Sequence, residues 1–346
     1  MNPDLIGSRD DPYRQPRAAR DLPLLVHSLS VFQEIFEIVF AHRKISTVAE
    51  VGVESGQVSS LYAALGATVY CVEPSPSDDL RAALEADPRL NLVEWPSPAA
   101  LAEMPVADLY VLDGDHNYVV VREELRWIAE NASDALVLLN DVLWPCSRRD
   151  AYYMPTGLPA EAMHPVTQDG PTVWHDDVTP AGFLGRDFRF AAHAGGERNG
   201  VLTAVEDALA ESGAEWRFEI IPAIFGLGVL ARDADDLFAA LHPYTSSALL
   251  ATLENNRIAL YTRILQMQYE AAAHADETGR WAETIAAQQA EIDELRADLE
   301  RSAAEVAALR AEAARRPVSA RPSPGVGDAL SQLSRAVSGQ VRRRPR

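Results

Sequence analysis

Lysine is almost absent from this 346-residue chain: of 31 basic side chains only Lys44 is a lysine, and the rest are arginines. That bias reads as the codon usage of a GC-rich genome and identifies no function. Basic residues as a class are scarce against 51 acids, and the formal charge is -20. The deficit is uneven, because from Arg315 onward eight arginines face one acid, Asp328, which leaves the first 314 residues at about -27. An acidic body excludes broad nucleic-acid binding, which needs clustered Lys and Arg against phosphates. Two cysteines, Cys71 and Cys146, make no disulfide framework. No apolar run approaches the ~20 residues of a membrane span, and the N-terminal stretch MNPDLIGSRDDPYRQ has no apolar signal core. These absences point to a reducing, cytoplasmic compartment.

What is present is an alternation of strand and helix patterns. Residues 1–20 read as a polar arm, and Leu29, Phe32, Phe36 and Val39 follow at helical spacing. Short apolar runs then predict strands at 46–51, 67–72, 90–93, 107–112 and 135–139, with helices at 57–65, 78–86 and 119–131 between them. Near-continuous apolar strands fit a parallel sheet covered on both faces, and the alternation implies right-handed crossovers in a doubly wound α/β core. The rhythm breaks over 144–199, an aromatic-rich insertion whose length argues for a functional lid. A helix at 200–211 and strands at 216–221 and 225–231 resume the core. Their short link makes them an antiparallel hairpin. The expected domain therefore spans residues 21–240 and carries seven strands.

Chemistry collects at the strand ends. Glu50-Val51-Gly52-Val53-Glu54-Ser55-Gly56 closes the first strand and opens a helix, where glycines admit a ligand and free N–H groups receive it. Its glycines are four apart, which departs from the dinucleotide fingerprint. Glu50 suits a ligand carrying an amino group and a sulfonium charge. Glu73, one strand later, suits paired ribose hydroxyls. The fourth strand runs out into Leu112-Asp113-Gly114-Asp115-His116-Asn117-Tyr118, and the fifth into Asn140-Asp141. Adjacent strand ends line one crevice in such a sheet. Asp113, Asn140 and Asp141 are hard oxygen donors suited to Mg²⁺, which prepares a bound hydroxyl as a nucleophile. Which of Asp113 and Asp115 ligates stays open at this level. Asp115 is the expected cap of the following helix, His116 and Asp141 are rival bases, and Tyr118 is an expected cleft wall. Arg148, Tyr152 and Tyr153 in the insertion are candidates for acceptor recognition. His164 and His175-Asp176-Asp177 lack metal-ligand spacing and read as loop residues.

Over about residues 29–232 these motifs, with the seven-strand order and closing hairpin, resemble the class I S-adenosylmethionine-dependent methyltransferases. The resemblance implies that the loop of Glu50, Gly52, Glu54 and Gly56 wraps the methionine part and that Glu73 holds the ribose. The adenine edge would fall around Trp95, Pro96 and Ser97, with Asp113 counted in both the cofactor and the metal set. The DGDHxY form is similar to the cation-dependent O-methyltransferases of the macrolide-sugar, aminocoumarin-sugar and cephalosporin-tailoring group. In the related catechol-type enzymes a lysine three residues after the metal aspartate acts as base, and His116 holds that spacing from Asp113. The implied activity is transfer of a methyl to a hydroxyl of a sugar, glycan or natural product, with S-adenosylmethionine and Mg²⁺. The other readings are a non-catalytic scaffold of the same fold, a metal-independent methyltransferase and, disfavoured by the glycine spacing, an NAD-dependent oxidoreductase.

From Leu250 the period becomes seven. With Leu250 at a, one frame runs nine heptads, through Ile264, Ile285, Ile292, Leu299 and Val306 at a and Leu253, Leu260, Met267, Leu295 and Leu309 at d. A coiled coil over 245–314, in a homo-oligomer or with a helical partner, is the expectation, and a single long solvated helix is the other reading. The arginine-rich tail 315–346 reads either as a solvated, disordered segment or as a contact for an acidic partner or an anionic membrane surface at the inner face.

Overall fold

A computed structural model describes residues 28–315 except 154–155, 174–176 and 186–187, together with 327 and 329–332. The N-terminal arm, Trp174, His175, Asp176 and nearly all of the basic tail lie outside the described residues. Among the described residues no helix is long and apolar enough to cross a membrane.

After a short 3-10 turn at Leu29–Phe32 comes α1 (Gln33–His42), and then the core in alternation. Its first half is β1 (Thr47–Val51), α2 (Gln57–Ala64), β2 (Thr68–Val72), α3 (Asp78–Glu85) and β3 (Leu90–Val93). Its second half is β4 (Leu109–Leu112), α4 (Tyr118–Asn131) and β5 (Leu136–Leu139). The insertion contributes small strands: β6 (Ala151–Tyr152), β7 (Val166–Thr167), β8 (Gly170–Pro171), β9 (Val178–Thr179) and β10 (Arg189–Ala191). Then follow α5 (Val201–Ser212), β11 (Arg217–Ile221), β12 (Leu227–Ala231), α6 (Asp235–Thr245) and the 68-residue α7 (Ala248–Arg315).

Seven strands form one sheet in the order β11-β12-β5-β4-β1-β2-β3. The five from β3 to β5 are parallel, and β12 and β11 close the sheet antiparallel. This is the doubly wound, mostly parallel seven-stranded sheet closed by an antiparallel hairpin that the strand pattern predicts. The insertion adds a three-stranded sheet, β6-β10-β7, and the pair β8-β9. Helix α6, which contains Pro243, is not among the expected elements.

Every residue of β4 and β5 is buried, since each face of the sheet carries its own core. Along β4, Leu109 and Val111 join a cluster with Phe36, Tyr62, Leu84 and Phe238, on the side of α1, α2, α3 and α6. Tyr110 and Leu112 join the opposite cluster with Leu125, Ile128, Ala204 and Val205, on the side of α4 and α5. Burial on both faces is why these strands lack a polar alternation.

Contacts divide the chain after Ala272 into two compact units, a boundary inside α7. In the first unit, the start of α7 packs on the fold through Glu254, Ile258 and Thr262, and Glu254 Oε1 accepts from Phe225 N–H at 2.9 Å. Those three residues lie outside the a and d positions of the heptad frame.

Candidate functional site

The sheet register brings the polar strand ends into one row. Val51 pairs with Val72 on one side and with Leu112 on the other, and Leu112 pairs with Leu139. The residues that follow are therefore neighbours, in the order Glu73, Gly52, Asp113, Asn140. Backbone bonds carry the ladder through them: Gly52 N–H to Val72 O, Asp113 N–H to Val51 O and Asn140 N–H to Leu112 O, at 2.9, 2.9 and 3.0 Å. This row is the carboxyl edge at which doubly wound sheets bind ligands.

Gly52 fits this row only as glycine. Its φ is +86°, and a Cβ would lie 2.2 Å from the Asp113 carbonyl oxygen. Gly56, at φ +72°, is the N-cap of α2 and gives no side-chain cap to it. Glu54 stands exposed between them. Glu50 is buried within β1 and accepts a hydrogen bond from Ser59 of α2. Burial pushes its carboxyl up to about 8, against the lowering effect of Ser59. Ser59 did not stand out in the sequence, although a serine on the buried face of α2 beside Tyr62 and Ala63 was a usable signal. The Glu73 carboxylate accepts from Ser75 N–H at 3.0 Å and Val53 N–H at 3.4 Å, and so clasps the glycine loop.

The metal candidates converge. Asn140 Nδ2 donates to Asp113 Oδ1 at 2.8 Å, and the buried Asn140 Oδ1 has no hydrogen-bond partner. Asp141 holds a left-handed backbone, φ +58°, which is rare for a residue with a side chain and clusters at functional sites. His116 Nδ1 lies 3.8 Å from Asp141 Oδ2. Burial pushes the Asp113 carboxyl up to about 7; His116 opposes that rise and Asp141 adds to it. Burial holds the His116 imidazole below its ordinary value against the pull of Asp113 and Asp115, so it stands neutral and able to take a proton. Among the described residues no group of three or more His, Cys, Asp or Glu is arranged to hold a metal ion. The donor chemistry of Asp113, Asn140 and Asp141 still fits a divalent cation, since two mutually repelling carboxylates and an unpartnered amide oxygen gain from one.

Two expectations about neighbouring residues are corrected. The cap of α4 is Asn117, whose side chain accepts from Val120 N–H at 3.0 Å, and Asp115 does not cap it. Tyr118 is buried between α4 and α5 and donates to Asp207 at 2.8 Å, so it packs helices and forms no cleft wall. Arg148 is bound to Glu206 at 2.6 and 2.7 Å and to Thr203 at 3.0 Å, while the buried Tyr152 donates to Asp150 at 2.6 Å. Both side chains have partners within the fold. Tyr153, the third insertion candidate, is 48% exposed, with its ring 6.5 Å from that of His116.

Past β3, where the adenine edge is expected, Trp95 is exposed and Pro96 opens the turn to Ala100. Ser97 Oγ is buried, as is Glu124 Oε1 on α4, and a contact with Ser97 opposes the rise of the Glu124 carboxyl. Burial pushes the Glu124 carboxyl up to about 8. Two residues absent from the expected set thus matter, Glu124 here and Asp150 in the insertion. Asp150 Oδ1 accepts from both Tyr118 N–H and Gly200 N–H at 2.7 Å, at the starts of α4 and α5. His164 Nε2 contacts the Arg198 carbonyl at 2.9 Å, in keeping with a loop role.

No protein-family model matches the chain, and no curated protein matches it. Solved structures do. A putative caffeoyl-CoA O-methyltransferase from Staphylococcus aureus is 12% identical, with a TM-score of 0.37, and the match covers 65% of this chain and 93% of that one. A putative O-methyltransferase from Klebsiella pneumoniae is 17% identical, with a TM-score of 0.38 over 63% of this chain and 86% of that one. The N-terminal domain of EvdMO1, determined with SAH and D-fucose, is 13% identical, with a TM-score of 0.31 over 60% and 85%. At these identities and TM-scores the likeness carries no argument about function, and the chemistry of the site rests on the row of residues at the carboxyl edge.

Proposed function

We propose that the chain is an S-adenosylmethionine-dependent O-methyltransferase acting on a hydroxyl of a sugar, glycan or natural product, with Mg²⁺ at the acceptor end. One observation carries this reading: the row Glu73, Gly52, Asp113 and Asn140 sets a nucleoside-type loop directly beside a carboxylate and imidazole cluster. S-adenosylmethionine would supply an electrophilic methyl on a sulfonium, and Mg²⁺ held by Asp113, Asn140 and Asp141 would lower the pKa of an acceptor hydroxyl. Glu73 would receive ribose hydroxyls. Glu50 lies beneath the loop, where a cationic ligand would favour its ionised form. His116, neutral and 3.8 Å from Asp141, would take the hydroxyl proton, with Asp141 positioned to stabilise the imidazolium. The half-exposed Tyr153 offers an aromatic wall beside that base, of the kind that stacks on a sugar face.

Calorimetry with S-adenosylhomocysteine separates this reading from the scaffold reading. Micromolar binding is expected, weakened at least tenfold in Glu73→Ala. A labelled-methyl screen over glycosides and phenols, run with Mg²⁺ and with EDTA, then tests the metal. No nucleoside binding would favour the scaffold, and turnover unchanged in EDTA would favour a metal-independent transferase.

A further inference from the structure

The second compact unit carries an apolar seam that nothing in the described chain covers. Within it, Ile285, Ile292, Leu299 and Val306 occupy a positions and Leu295 and Leu309 d positions of α7, each between 43% and 71% exposed. Scattered apolar surface residues are ordinary. A seam in unbroken heptad phase along a helix face is instead the pattern of a coiled-coil strand.

The charges beside the seam identify its occupant. From Glu277 to Glu312 the g positions read Glu277, Thr284, Glu291, Asp298, Glu305, Glu312, five acids in six. The e positions from Ala275 to Arg310 hold no acid, and Arg296 and Arg310 stand five residues after Glu291 and Glu305. Parallel strands bring g against e′, so Glu291 meets Arg296 and Glu305 meets Arg310 of a second copy. Antiparallel strands bring g against g′ and would set acid on acid along the seam. Gln288, a polar d residue, meets its own counterpart only in a parallel, in-register pair, where two amides can bond each other. β-branched residues at three of these a positions, with Leu at d, favour two strands. We infer that residues 278–309 of α7 form a parallel, in-register coiled coil with a second copy of this chain, making the protein a homodimer. The inference is independent of the methyltransferase reading.

The full chain tests it. Light scattering should give twice the 37.8 kDa of one chain. Single-cysteine variants Ile285→Cys and Leu309→Cys, at opposite ends of the seam, should each cross-link to themselves under mild oxidation, since Cys71 and Cys146 are buried. An antiparallel pair would cross-link only when the two variants are mixed, and that result would overturn the proposal. The double variant Arg296→Glu/Arg310→Glu should weaken association at least tenfold at low salt. Adding Glu291→Arg and Glu305→Arg to it should restore association. A monomer at every concentration up to about 100 μM, with helical circular dichroism retained, would also overturn the inference.

Discussion

Gly52 has room for a hydrogen and for nothing larger. The Asp113 carbonyl oxygen would lie 2.2 Å from a Cβ, and the positive φ adds backbone strain. Gly66 offers an internal comparison, because it too has a positive φ, +104°, but no atom within 4 Å of its Cβ position. Gly66→Ala is therefore expected to cost about 1 kcal/mol, the strain alone. Gly52→Ala should cost on the order of 3 kcal/mol, because β1 and β4 must also part at their ends. Urea unfolding of both variants measures the difference. Gly52→Ala should also weaken S-adenosylhomocysteine binding, while Gly66→Ala leaves it alone. Equal costs would mean that the close approach is relieved by a small shift and does not tie the glycine loop to Asp113.

At the scale of elements, the parts legible in the sequence were those that local pattern determines. The apolar runs of β4 and β5 marked buried strands, and the polar residues just past them marked the carboxyl edge. The hairpin of β11 and β12 followed from its short link. What escaped depended on partners distant in the chain. Arg148 finds Glu206, 58 residues on, and no spacing rule announces such a pair. Asn117 and Asp115 are equally good caps by type, and the backbone turn alone selects Asn117. Asp150 was illegible for the same reason, because its partners at Tyr118 and Gly200 come together only when the insertion folds against α4 and α5. Its carboxylate, 0% exposed, accepts from two backbone N–H groups and from the Tyr152 hydroxyl. Asp150→Asn keeps an amide oxygen for the two N–H groups but turns an N–H toward the Tyr152 hydroxyl, which must then accept and leaves its own proton stranded. A loss of about 2–3 kcal/mol is expected in urea unfolding. Because α4 begins two residues after His116, turnover should fall as well, while S-adenosylhomocysteine binding at the β1 and β2 ends persists. Unchanged stability would show that the two helix starts are held elsewhere.

At the scale of the whole molecule, the acidic balance continues into the core. Glu50 and Glu124 are buried carboxyls pushed up to about 8, and Asp113 to about 7. Each lies above its unfolded value of 4.5 or 3.8, so between those limits the folded chain holds protons that the unfolded chain has released. Stability then declines as pH rises. The contribution is fully present below about pH 4 and lost progressively up to about pH 8. The ligand-free protein should therefore show urea midpoints that fall between pH 5 and pH 8. Surface repulsion in a chain of charge -20 works in the same direction, but salt screens it. The decline should accordingly survive in 0.5 M NaCl, a concentration at which the screening length is roughly 4 Å. Glu124→Gln, which cannot ionise, should flatten part of it. S-adenosylmethionine should flatten another part by setting positive charge near the loop above Glu50. A midpoint that climbs between pH 5 and pH 8 would mean that these carboxyls are ionised and paired in the folded chain, and the cationic ligand would then lose its electrostatic reason to bind there.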